Sequence, residues 1–135
     1  MTQQHPIAGT GPSPGVKQRT CVIIDDELLA RLTLSGILER HFPEIRELGH
    51  ARTVEQSVAL IQAMRPDIVF LDIELIGGTA FAVLDRIAER PFVVVFTTAF
   101  NTYGNEIARF PDAHVLLKPV RIGDLRNVLK ASERL

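Results

Sequence analysis

The run Ile68-Val69-Phe70-Leu71-Asp72 is the stretch that most limits what this chain can become. Its four leading apolar residues are mostly β-branched or aromatic and do not alternate with polar ones. They therefore read as a strand buried on both faces, the kind found in parallel sheets that carry helices on each side. The run ends in a carboxylate, and Gly77-Gly78 breaks the chain shortly afterwards. An acid so placed stands at the carboxyl rim of the sheet, where open α/β folds bind ligands. A single acid there is most often a turn residue, so the other strand ends have to agree.

They do. Thr20–Ile24 is a second continuous apolar run, and it leads into Asp25-Asp26-Glu27. Phe92–Thr98 is the most apolar of all and ends in two threonines. Val115–Leu117 runs into Lys118-Pro119, and Ile45–Ala51 alternates in the manner of an edge strand.

Helical patterns separate these runs. One covers 27–41, with acids in its first turn and Ala30, Leu34 and Leu38 on its inner face, and Phe42-Pro43 ends it. A capping box at Thr53–Gln56 opens the next, with Val54, Val58, Ile61 and Met64 as its stripe. Residues 80–90 place Phe81, Leu84 and Ile87 at three-residue steps. Segment 100–110 is a poor helix because it holds Asn101, Gly104 and Asn105. A last helix over 124–135 turns Leu125, Val128 and Leu129 inward. Five strands alternating with five helices predict a flavodoxin-like (βα)5 doubly wound parallel sheet of strand order 2-1-3-4-5.

Composition excludes several functions. Fifteen basic and sixteen acidic residues leave a net charge of −1, so no direct nucleic-acid binding and no attraction to anionic membranes are expected. No apolar run is long enough to span a membrane and no signal peptide is visible, which makes the cytoplasm the expected compartment. The single cysteine, Cys21, has no disulfide or metal-ligating partner cysteine and reads as a small core residue. Residues 1–18 carry three of nine glycines and three of eight prolines with little to bury, and read as a flexible tail before a domain over 19–135.

In the predicted strand order the first and third strands are neighbours, so Asp25, Asp26 and Asp72 meet at the switch point. Three carboxylates in one crevice call for a cation, and an all-oxygen ligand set suits Mg2+ rather than zinc. Lys118 and Thr98, from the next strand ends, offer a point charge and a hydroxyl for phosphoryl oxygens. With those neighbours Asp72 is placed to act as a nucleophile towards phosphorus.

From Arg19 onward the chain resembles the receiver domain of two-component response regulators, through CVIIDDE, VFLDIE, VVVFTTAF and VLLKPV. The wording LDIEL and FTTAF…LLKP is similar to receivers of the LytTR class. The resemblance implies that Asp72 takes a phosphoryl group from a histidine kinase or histidine phosphotransfer protein. It implies Mg2+ held by Asp25, Asp26 and Asp72 with the backbone carbonyl of Glu74. It also implies phosphoryl contacts from Thr98 and Lys118, a cis Lys118-Pro119 bond, and a protein that is not an enzyme beyond its own phosphorylation and dephosphorylation. Thr98 is preferred to Thr97 because the family's Thr-Ala pair falls on Thr98-Ala99. Signal output, through a homodimer or a partner complex, is expected from the fourth helix, fifth strand and fifth helix.

Three positions depart from the pattern. Ile76 and Ala80 stand where a proline and a glycine are usual, and Val115 replaces the aromatic three before the lysine, with His114 beside it. The chain also stops after its fifth helix, without the DNA-binding output domain of LytTR-class regulators, which reads as either a stand-alone receiver or a truncated one. A degenerate receiver that binds partners without phosphorylation is the alternative. A haloacid-dehalogenase-type enzyme fits less well, since Asp-x-Asp is missing at the first strand.

Overall fold

In the computed structural model, residues 18–99 and 102–133 are described. The expected tail over 1–18 lies outside them except for Gln18. Strands β1 (Arg19–Ile24), β2 (Ile45–Ala51), β3 (Ile68–Asp72), β6 (Val93–Thr98) and β7 (His114–Leu117) form one parallel sheet in the order β2-β1-β3-β6-β7. Counting only these strands, that is the expected 2-1-3-4-5 order. Between β3 and β6 the chain adds a two-residue hairpin that the sequence pattern did not predict, β4 (Glu74–Leu75) against β5 (Gly78–Thr79). Gly77 and Gly78 turn it at φ +90° and +149°, values that glycine adopts without strain.

Because side chains alternate along a strand, β1, β3 and β6 feed two separate cores. Val22, Ile24, Val69, Leu71, Val94 and Phe96 pack against α2 (Val54–Met64) and α3 (Ala80–Asp85). Cys21, Ile23, Ile68, Phe70, Val93 and Val95 pack against α1 (Leu28–His41) and α5 (Ile122–Ala131). Every residue of β3 is buried, as its unbroken apolar run requires. Cys21 is fully buried, and burial first, then the charge of Glu47, pushes its thiol up to about 12, so it packs as an inert apolar group.

The helices differ from expectation chiefly at their ends. Glu27 is the N-cap of α1, so no acid lies within its first turn. Thr53 caps α2 as predicted, its Oγ1 accepting from the Gln56 N–H at 3.0 Å, but Met64 is exposed. The helix expected over 80–90 ends at Asp85. Arg86 and Ile87 close tighter i→i−3 turns, and Arg90 Nη1 donates to the carbonyls of Leu84 and Ile87 at 2.8 and 2.9 Å, satisfying the helix end. Helix α5 begins two residues early, and Arg19 ties its end by donating to the carbonyls of Leu129 and Ser132. The weak segment shrinks to α4 (Gly104–Ile107), which buries no residue. Among the described residues no helix is long and apolar enough to cross a membrane.

Candidate functional site

The sheet order brings the ends of β1 and β3 side by side, and the acids beyond them converge. Asp25, Asp26 and Asp72 each place a carboxylate oxygen within 4.8 Å of the others. Asp25 and Asp72 are buried and Asp26 is half-buried. Lys118, following β7, reaches across two strands: its Nζ lies 2.7 Å from Asp25 Oδ2, 3.4 Å from Asp72 Oδ1 and 3.9 Å from Glu27 Oε1. Its backbone N–H donates to the Thr98 carbonyl at 2.8 Å, which fixes the lysine relative to β6. The Lys118-Pro119 bond is cis, as the resemblance implied.

Charge and burial oppose each other here. Burial is the largest influence on Asp72 and, with the charge of Asp25, pushes its carboxyl up to about 7 against the pull of Lys118. Lys118 cannot cancel that rise because its short contact is with Asp25. For Lys118 burial is again the largest influence and lowers its pKa, but the hydrogen bond to Asp25 and the charge of Asp72 outweigh it and leave the ammonium above its ordinary value.

The two threonines point to opposite faces. Thr97 pairs in register with Asp72 and lines a cavity of about 190 Å3 with Asp25, Lys118 and Pro119. Thr98 is buried and, by alternation, shares the face of Phe96. Glu74 follows the site on β4, its side chain exposed.

Three further residues contribute contacts that the sequence reading did not assign to the site. Arg31 Nη1 donates to the Asp25 carbonyl at 2.7 Å and braces the Asp25-Asp26 turn. Glu27 donates its N–H to Asp25 Oδ1 at 3.0 Å. The Tyr103 hydroxyl donates to the Glu74 carboxylate, and that bond leads the causes that hold the phenol above its ordinary pKa. Glu27 and Arg31 lie two and six positions from Asp25, whereas Tyr103 and Glu74, 29 positions apart, become neighbours only through the fold.

The donor set fits a hard divalent cation: three carboxylate oxygens at one rim, and no nitrogen or sulfur ligand among them. The fold and this rim define a flavodoxin-like α/β domain with an acidic ligand site. Residues 21–130 match the model of the response regulator receiver domain, and the chain belongs to that family. It is 35% identical over 100 residues to the sensory transduction protein LytT of Bacillus cereus, covering 73% of this chain and 40% of that protein. It is 36% identical over 116 residues to the positive alginate biosynthesis regulatory protein of Pseudomonas aeruginosa, covering 84% and 46%. The chain thus spans less than half the length of these two curated relatives. Among solved structures, the CheY-like receiver domain from Methylobacillus flagellatus superposes with a TM-score of 0.75 at 20% identity, over 87% of this chain and all of that one. The REC domain of AraT from Geobacillus stearothermophilus gives 0.75 at 21%, over 84% and 92%. At these identities the structures speak for the fold.

Proposed function

We propose that this receiver, taken as residues 19–135, accepts a phosphoryl group on Asp72 from a phosphohistidine partner. The observation that carries the reading is the convergence of three aspartate oxygens within 4.8 Å with Lys118 in reach of two of the acids. An Asp72 oxygen forms the new O–P bond as the P–N bond breaks, and the leaving imidazole takes up a proton. Asp25, Asp26, Asp72 and the Glu74 carbonyl would hold Mg2+, which when bound neutralises charge on the phosphoryl oxygens. Lys118 supplies a point charge to the same oxygens and Thr98 a hydroxyl donor. Leu28, Leu29 and Leu32 of α1 stand exposed on the element next to the site. An apolar face of that kind favours a histidine kinase or histidine phosphotransfer protein as the donor.

Incubation with phosphoramidate and Mg2+ tests this. Intact-mass measurement is expected to show one labile phosphoryl group on the wild type, none on Asp72→Asn and little on Asp26→Ala. Thr98→Val slows labelling by about tenfold and Thr97→Val does not, the low end expected for losing one hydrogen bond to a charged oxygen. Labelling of Asp72→Asn at the wild-type level sinks the assignment. An unlabelled wild type leaves the degenerate receiver as the reading.

The output surface is assigned to α4, β7 and α5, where Val115 and Leu117 are exposed. Beryllofluoride with Mg2+ is expected to drive dimers through this face. Sedimentation that shows an unchanged monomer would leave hetero-partners as the only recipients of the signal.

Val115 is too short to act as a swinging ring, so the mobile part is placed in α4 and its approach. The weak segment of the sequence, 100–110, includes Phe100 and Asn101, which lie outside the described residues. Over 102–110 the structure offers one four-residue helix with no buried residue, the composition of a region that opens cheaply. Amide exchange on activation should therefore change most over 102–110 and little at 114–117. Gly104 has no neighbour within 4 Å of an added Cβ, so Gly104→Ala stiffens α4 by about 0.4–1 kcal/mol without a clash and shifts the balance of states. Exchange changes centred on β7, with switching lost in Val115→Ala, would put the signal in the strand instead.

A further inference from the structure

The loop that follows Asp72 is not held by its own hairpin alone. Glu74 opens β4, two residues beyond the phosphoacceptor, and its carboxylate accepts the hydroxyl of Tyr103. Tyr103 is the N-cap of α4, and its carbonyl accepts the Ile107 N–H at 2.9 Å. Its ring packs on Phe81 at 6.0 Å, and Phe81 in turn packs on Phe96 at 5.4 Å and on Phe110 at 6.1 Å. The phenol is therefore anchored by its ring and committed by its hydroxyl. One side chain joins the loop leaving Asp72, the aromatic core under β6 and the start of α4.

We propose that Tyr103 is a positioning residue of the phosphorylation site: by holding the Glu74 carboxylate it keeps the loop after Asp72 closed and slows loss of the phosphoryl group to water. This rests on the receiver reading. The hydroxyl fixes Glu74, Glu74 fixes the main chain at the mouth of the site, and a fixed mouth limits the approach of water in line with the O–P bond. The same contact ties occupancy of the site to the start of α4, because loop and helix share the phenol.

Two measurements decide it. The first is the lifetime of the phosphoryl group in wild type, Tyr103→Phe, Glu74→Ala and the double variant, followed by mass after removal of the donor. Tyr103→Phe keeps the ring and is expected to shorten the lifetime about threefold in the wild-type background but not in Glu74→Ala, as a double-mutant cycle requires of a direct contact. Glu74→Gln keeps an acceptor and should largely retain the lifetime. An unchanged lifetime in Tyr103→Phe, or the same change in both backgrounds, overturns the proposal.

The second measurement does not need phosphorylation, so failure of the receiver reading shows separately. The chain has one tyrosine and no tryptophan, so its emission reports on Tyr103 alone. Mg2+ by itself should change that emission saturably in the wild type and leave it unchanged in Glu74→Ala. No change in the wild type, or an equal change in both, refutes the link between Tyr103 and the site. A wild type that takes up no phosphoryl group but passes the emission test refutes only the receiver reading.

Discussion

Lys118→Met is expected to lower the melting temperature of the metal-free protein by about 10 °C at pH 8 and by far less at pH 5. Nζ sits 2.7 Å from Asp25 Oδ2 and 3.4 Å from Asp72 Oδ1, with the lysine side chain only 18% exposed. Methionine preserves the packing of the stem but removes the charge, leaving buried carboxylates facing one another without a counter-ion. Breaking a buried pair from one side costs about 3 kcal/mol at the low end of the usual range, which for a domain of this size is roughly 10 °C. The cost falls at pH 5 because Asp72, whose carboxyl is held at about 7, is then protonated. Adding Mg2+ at pH 8 should recover much of the loss, since a cation bound only by the folded state stabilises it. Thermal melts in chelator and in Mg2+ at the two pH values check all three statements. A loss of equal size at both pH values would show that the Asp72 charge does not carry the cost of removing Lys118.

Asp72→Asn should move stability the other way. In the folded protein burial and the Asp25 charge hold the Asp72 carboxyl up at about 7, whereas an unfolded chain leaves it at about 3.9. The folded state thus binds this proton more tightly. The stabilisation that follows is complete below about pH 4 and is lost as the pH rises through about 7. Asparagine has no such proton to lose. The metal-free variant should match the wild type near pH 4 and exceed it at pH 8. Part of the gain is offset by the lost Lys118 contact at 3.4 Å, so the net advantage is on the order of 2 kcal/mol. Calorimetry in chelator across this range measures it, and a variant less stable than wild type at pH 8 would contradict the picture of crowded charge. Such a gain, paired with complete loss of labelling, would mark a site built for chemistry at the expense of stability.

The unbroken apolar runs of β1, β3 and β6 made the doubly wound sheet legible from the chain alone. A parallel strand covered on both faces has no polar side to show, and that pattern is local. The positions of Asp25, Asp26, Asp72, Thr98 and Lys118 at strand ends followed from the same runs, because each run stops where its polar residue begins. The Thr53 cap was equally visible, being a contact over three residues.

The partners of individual long side chains were not legible. That α3 stops at Asp85 depends on Arg90 folding back onto its carbonyls, a matter of where the following turn directs that side chain. That the C-terminal end of α5 is tied to Arg19 joins residues more than a hundred positions apart. The sequence also placed Lys118 near the acids but could not say that it would favour Asp25 over Asp72, or that Arg31 would brace the Asp25 carbonyl. Chain periodicity determined which residues face which layer and which acids reach the rim. Only the packed sheet, through its twist and strand order, decided the distances among them, and those distances set which carboxylate is paired and which keeps its proton.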